Sequence, residues 1–133
     1  MDTKRILAVD DEVHWRVLLA TLFQIGGYEI RVGRNGREGM KLAREMKPDL
    51  IILDLMMAGE GGIPMYRQLK TDDHLRHIPV IILSGVDERS FFHALKLMNV
   101  GLKEPLPQPE AFLEKPPTPE VLMELVKKTL SGN

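Results

Sequence analysis

Two stretches of this chain, Leu50-Ile51-Ile52-Leu53 and Ile78-Pro79-Val80-Ile81-Ile82-Leu83, contain no polar side chain. A strand with one face in water alternates polar and apolar residues, so short runs that are apolar throughout belong to strands covered on both faces. They read as central strands of a parallel sheet with helices above and below it. Ile6-Leu7-Ala8-Val9 reads the same way. Tyr28 to Val32 alternates enough to be half exposed and nearer an edge, and Ala111-Phe112-Leu113 makes a short fifth strand.

Amphipathic stretches separate these runs. Glu12 to Ile25 reads as a helix, with Val13, Val17, Leu18, Thr21, Leu22 and Ile25 recurring at helical spacing and Gly26-Gly27 ending it. Asn35 caps a helix from Gly36 to Met46, and Pro48-Asp49 breaks it before the next strand. A short helix from Gly62 to Lys70 and another from Glu88 to Met98 follow. Phe91 and Phe92, being adjacent on the latter, cannot both face the core. Pro105, Pro107 and Pro109 make Gly101 to Pro109 a loop. Thr118 caps the last helix, with Pro119 at its first position and Val121, Leu122, Leu125, Val126 and Leu130 on one face. Strand and helix thus alternate five times over the 133 residues, a length that suits one domain spanning the whole chain. The pattern calls for a doubly wound α/β fold with right-handed crossovers and helices on both faces of the sheet.

Sheets of this kind bind ligands beyond the carboxyl ends of their strands. Here those ends carry Asp10-Asp11-Glu12, Asp54, Ser84-Gly85 and Lys115-Pro116. Gathered carboxylates repel one another by about 4 kcal/mol at 4 Å and an effective dielectric of 20. A cation, a raised pKa or both must compensate. Oxygen donors without histidine or cysteine favour a hard ion such as Mg²⁺, which keeps several waters and completes its shell with phosphate. Lys115 adds a positive charge suited to a phosphoryl oxygen, and Ser84 a hydroxyl donor. Asp54, ending the middle strand, is the natural nucleophile, because a carboxylate can carry phosphate as an acyl phosphate.

Composition removes other classes. The chain has no cysteine, so disulfides, thiolate metal sites and cysteine nucleophiles are excluded, which fits a reducing cytosol. A net charge of -1 offers no field for nucleic acid or an anionic membrane. No apolar run is long enough to span a bilayer, and the start of the chain does not read as a signal peptide. Glycine-rich nucleotide loops and a Gly-x-Ser-x-Gly elbow are missing. His74 and His77 lack an evident third metal ligand, and Arg31, Arg34 and Arg37 stand among Glu29 and Glu38, as on a solvated surface. His14 and Trp15 lie within a turn of the acidic cluster, where tryptophan fluorescence would report on ion binding.

Asp10-Asp11, Asp54-Leu55-Met56-Met57, Gly62, Ser84-Gly85, Phe112 and Lys115-Pro116 together resemble the signature of the bacterial response-regulator receiver domain, from Lys4 to Leu130. The resemblance implies a flavodoxin-like fold, a five-stranded parallel sheet in the order 2-1-3-4-5. It implies that Asp54 accepts a phosphoryl group from a histidine kinase or a histidine phosphotransfer protein. Mg²⁺ would be held by Asp11, Asp54 and the Met56 backbone carbonyl, with Asp10 acting mostly through water. Lys115 would contact the phosphoryl group, with the bond to Pro116 cis. Ser84 would move toward the phosphoryl group and Phe112 rotate inward behind it. The face of the fourth helix, fifth strand and fifth helix would then present the change to a downstream protein or a fused output domain, and a homodimer formed on phosphorylation is a further state of the family. The implied protein is cytoplasmic, binds neither nucleic acid nor membrane directly, and is no enzyme beyond its own phosphorylation and dephosphorylation.

Several positions depart from the family pattern. Ala58-Gly59-Glu60-Gly61-Gly62 stands where the family carries a proline after the acceptor, suggesting a more mobile loop. Met56 and Val86, two residues past Asp54 and Ser84, are apolar and cannot orient a hydrolytic water, so slow self-dephosphorylation is expected unless both simply pack. The connection from Asn99 to Pro109 is longer than usual, as either a modified partner surface or a tolerated insertion. Two other functions stay in contention: a binding module of the same fold that takes no phosphate, and a phosphatase or phosphotransferase with an Asp nucleophile. The intact site set argues against the first. Met56 argues against the second, because the haloacid dehalogenase family has an Asp at that position. The chain ends at Ser131-Gly132-Asn133, just past the last helix. Both a complete regulator and a receiver taken from a longer protein fit.

Overall fold

The computed structural model describes residues 3–57 and 61–132. Ala58, Gly59 and Glu60 of the glycine-rich loop therefore lie outside the described residues. Among the described residues five strands and five helices alternate: β1 (Arg5–Val9), α1 (Val13–Ile25), β2 (Glu29–Gly33), α2 (Gly36–Met46), β3 (Leu50–Leu53), α3 (Gly62–Thr71), β4 (Val80–Ser84), α4 (Glu88–Met98), β5 (Ala111–Glu114) and α5 (Pro119–Ser131). All neighbouring strands pair in parallel, in the order β2-β1-β3-β4-β5.

The apolar runs behave as their composition requires. Every residue of β3 and β4 is buried, and so are Ile6 to Val9 of β1. Successive side chains go to opposite faces of the sheet. Ile51 and Leu53 join Leu7, Val9, Val80 and Ile82 beneath α2, α3 and α4, where Met40, Ala43, Met65, Leu69 and Phe91 fill the layer. Leu50 and Ile52 join Ile6, Ala8, Ile81 and Leu83 on the other face, against Leu19, Phe23, Leu122 and Val126 of α1 and α5. Edge strand β2 alternates between exposed and part-buried residues before ending in buried Gly33.

Three readings need correction. Ile78 and Pro79 precede β4 instead of belonging to it. Proline has no N–H to give to a ladder, and Pro79 serves the sheet only through its carbonyl, which accepts from the Ile51 N–H at 3.0 Å. Helix α1 faces the sheet with Leu19 and Phe23, and Trp15 and Leu22 pack beside them. Val13, Val17, Leu18 and Ile25 point outward, Ile25 with 81% of its surface exposed. This helix carries apolar residues all round, so spacing alone does not select the inner stripe; the ring of Phe23, wedged edge-on against Tyr28 at 6.1 Å, occupies the sheet side. On α5, Val121 likewise lies outside the buried stripe of Leu122 and Val126.

Local signals set the helix ends. The Asn35 side chain accepts from the Glu38 N–H, Asp87 from the Ser90 N–H and Thr118 from the Val121 N–H, each relieving a free donor in the first turn. The 99–109 connection is held in place by side chains. Asn99 Oδ1 accepts from the Leu106 N–H at 2.8 Å, Leu106 is buried, and the Tyr66 hydroxyl donates to the Pro107 carbonyl. Phe91 is buried and Phe92 half-buried, and both rings lie against Phe112, with centroids 5.6 and 6.4 Å away.

The two faces of α1 separate in a denaturation experiment. Phe23→Ala is expected to lower unfolding free energy by about 3–5 kcal/mol, and Ile25→Ala by no more than about 0.5 kcal/mol. Urea unfolding followed by far-UV circular dichroism measures both; equal losses would contradict the orientation of the helix.

Candidate functional site

Three residues are carried to one edge of the sheet by main-chain bonds that continue the ladder past the strands. The Asp10 N–H donates to Gly33 O at 3.0 Å and the Asp54 N–H to Val9 O at 3.0 Å. The Lys115 N–H donates to the carbonyl of Ser84, the last residue of β4, at 2.9 Å. Side-chain positions then follow from strand register.

Asp10 and Asp54 are each 2% exposed and Ser84 is fully buried. The Lys115 ammonium lies 2.7 Å from Asp10 Oδ2, 3.4 Å from Asp54 Oδ2 and 3.9 Å from Glu12 Oε1. The remaining carboxylate oxygens have main-chain partners: Asp10 Oδ1 accepts from the Glu12 N–H at 3.0 Å and Asp54 Oδ1 from the Met56 N–H at 3.1 Å. The Ser84 side-chain oxygen accepts from the Val86 N–H at 3.3 Å. Asp11 is exposed, and oxygens of Asp10, Asp11 and Glu12 come within 4.8 Å of one another. The Met56 side chain points away from the core, 64% exposed. The Lys115-Pro116 peptide bond is cis. Phe112 lies in the aromatic cluster with Phe91 and Phe92, on the α4 side of the sheet.

The roles of three further residues were not legible in the sequence. Arg16 donates from Nη1 to the Asp10 carbonyl at 2.7 Å, placing a second cation behind the acidic cluster. Trp15 lays its ring over the Lys115 ammonium, 4.7 Å from Nζ to the centroid; the sequence put it near the site without this contact. Glu12, read only as part of an acidic run, also reaches Lys115. At Gly62 a Cβ would stand 2.0 Å from the Asp54 carbonyl oxygen. Only glycine lets α3 start this close to the end of β3.

Burial pushes the Asp54 carboxyl above its ordinary value, and the charge of Asp10 adds to this; the Met56 N–H, Lys115 and Ser84 pull the other way. The donor set is all oxygen and crowded, with one ammonium within 4 Å of three carboxylates, those of Asp10, Glu12 and Asp54. That chemistry fits a hard divalent cation, which would relieve the repulsion and favour ionised Asp54. His74 and His77 are both exposed, and among the described residues no third metal-binding side chain joins them. Arg34 pairs with Glu38 at 3.7 Å on the surface.

A proton held more tightly by folded than by unfolded Asp54 stabilises the fold below the ordinary carboxylate range, and this contribution is lost as pH rises through the raised value. In metal-free buffer, Asp54→Asn is therefore expected to stabilise the protein at neutral pH, on the order of 1 kcal/mol, and to lose the advantage on acidification to pH ~4. Thermal melts of both proteins across that range test it; a stabilisation independent of pH would contradict the role of the buried charge.

The sequence profile of the response regulator receiver domain matches residues 6–127. Protein PilH of Pseudomonas aeruginosa is 30% identical over 128 residues, covering 96% of this chain and 98% of PilH. The phosphate regulon transcriptional regulatory protein PhoB of the same organism is 32% identical over 127 residues, covering 96% of this chain but 52% of PhoB. The chain thus spans about half the length of that relative. Among solved structures, the signal receiver domain of a signal transduction histidine kinase from Syntrophus aciditrophicus superposes with a TM-score of 0.82 at 33% identity, covering 98% of this chain and 92% of that one. The chemotaxis protein CheY4 of Vibrio cholerae gives 0.82 at 25% identity, with 97% and 100% covered.

Proposed function

Because this chain belongs to the response regulator receiver domain family, we propose that it is a phosphoacceptor switch, with Asp54 the acceptor and residues 1–133 forming one receiver unit. The observation that carries the reading is the Lys115 ammonium lodged between two buried carboxylates, Asp10 and Asp54, at the carboxyl edge of a parallel sheet. A buried charge pair of this kind is weak evidence for stability, since apolar packing would serve as well or better. It is better explained by chemistry.

Asp10, Asp11, Asp54 and the backbone carbonyl of Met56 would hold Mg²⁺, whose charge supplies electrostatic stabilisation to the transferring phosphoryl group. An Asp54 carboxylate oxygen attacks phosphorus, forming the new P–O bond. The bond from phosphorus to the donor breaks, and its electron pair leaves with the donor. For a phosphohistidine donor that group is imidazole. Lys115 exchanges its carboxylate partners for a phosphoryl oxygen, and the Ser84 hydroxyl donates to another. The added charge, about -2, biases the conformation only through its different binding energy in the two states. Phe112 and the α4-β5-α5 face carry that difference outward.

The partners of this reading are a histidine kinase or histidine phosphotransfer protein upstream, and a downstream protein or fused output domain, with a homodimer as one form of the phosphorylated state. The location is the cytoplasm, without direct contact to nucleic acid or membrane; no helix among the described residues is long and apolar enough to cross one. The chain acts on no substrate besides its own acceptor.

Incubation with acetyl phosphate and Mg²⁺, followed by intact-mass measurement, is expected to add one hydroxylamine-labile phosphoryl group to the wild type and none to Asp54→Ala. No adduct on the wild type, or the same adduct on the variant, would overturn the reading. Met56 is exposed and Val86 part-buried, and neither side chain has a polar atom with which to orient a water. The acyl phosphate is therefore expected to persist for minutes or longer after the donor is removed; decay within seconds would show that other groups direct the water.

A further inference from the structure

The Lys115 side chain is only 10% exposed, and its ammonium has two kinds of neighbour. On one side are the carboxylates of Asp10 and Asp54. Over the ammonium lies the ring of Trp15, with the centroid 4.7 Å from Nζ. Trp15 projects from the first turn of α1, half-buried, with the His14 ring 5.7 Å from it.

The two kinds of neighbour respond differently when a divalent cation enters the acidic cluster. The carboxylates of Asp10 and Asp54 would hold the ion, whose charge would repel the ammonium. An aromatic face is no ligand for a hard ion, yet it attracts an ammonium through its quadrupole, and tryptophan does so best. Without the ring, the ammonium would turn to water or to the exposed carboxylate of Glu12, 3.9 Å away.

We propose that Trp15 is a positioning residue: its indole face keeps the Lys115 ammonium at the strand ends when the carboxylates are taken up by a metal ion, in place for a phosphoryl oxygen. The proposal rests on the phosphoacceptor reading and names a residue on which capture of the phosphoryl group depends. Trp15 touches neither the metal nor the phosphorus; it acts through Lys115.

The test compares wild type, Trp15→Phe and Trp15→Leu, since phenylalanine keeps a π face and leucine keeps only apolar bulk. Calorimetry gives the affinity of each for Mg²⁺ and then, at saturating Mg²⁺, for beryllofluoride as the phosphoryl analogue. Mg²⁺ affinity is expected to stay within about twofold in all three, while beryllofluoride binds about fivefold more weakly to Trp15→Leu and within about twofold of wild type to Trp15→Phe. Equal beryllofluoride affinity in Trp15→Leu and wild type would overturn the role, as would equal losses in both variants, which would mark simple packing. A second readout needs neither ligand nor a Trp15 variant. Trp15 is the one tryptophan of the chain, so in metal-free buffer Lys115→Met is expected to change its emission intensity; unchanged emission would remove the contact on which the proposal stands. Failure of wild type itself to bind beryllofluoride would instead overturn the phosphoacceptor reading, and this role with it.

Discussion

An ammonium group between two buried carboxylates is the constraint around which this molecule is arranged. Asp10 and Asp54 are almost wholly withdrawn from water, at 2% exposure each. Carboxylates so placed are costly unless a positive charge and hydrogen-bond donors meet them. Lys115 supplies the charge at 2.7 and 3.4 Å, and the N–H groups of Glu12 and Met56 supply the donors. The compensation for Asp54 is incomplete, and its carboxyl holds a proton more readily than usual. A site left in this condition is receptive to a cation.

The three charges meet because of the sheet, which lies beneath them as a rigid base. Main-chain bonds from Asp10 to Gly33, from Asp54 to Val9 and from Lys115 to Ser84 extend the ladder one step beyond the strands. Their precision is inherited from β1, β3 and β4, whose side chains are buried on both faces. A register slip would turn the apolar residues of a whole strand to the wrong layer, so the packing that stabilises the sheet also locates the chemistry. Gly62 completes the arrangement by letting α3 begin almost in contact with the Asp54 carbonyl.

Around this centre the structure is less uniform. Phe91 links Tyr66, Phe92 and Phe112 through ring contacts at 6.0, 5.2 and 5.6 Å. Tyr66 in turn reaches the Pro107 carbonyl in the long 99–109 connection. That connection, proline-rich and without regular structure, is thereby tied to the same layer as Phe112. Apolar side chains face water on α1, at Val13, Val17, Leu18 and Ile25, and also at Met56, Leu97, Val100 and Val121.

Apolar runs without polar interruption are enough to name β1, β3 and β4, because only a doubly covered strand tolerates them. The caps at Asn35 and Thr118 and the proline at position 119 mark helix starts, because they act within a single turn. Residue type at the strand ends already indicated an acidic cluster with one lysine. Which stripe of α1 turns inward was beyond local reading, since Ile25 and Phe23 are equally apolar and only the shape of the opposing sheet distinguishes them. The same is true of the ring of Trp15 over Lys115, two residues 100 positions apart whose meeting depends on how α1 and β5 lie on the finished sheet. Hydrophobic pattern and turn chemistry act over a few residues and are written in the chain; orientation, contact and the raised affinity of Asp54 for a proton arise only when distant segments share one desolvated volume.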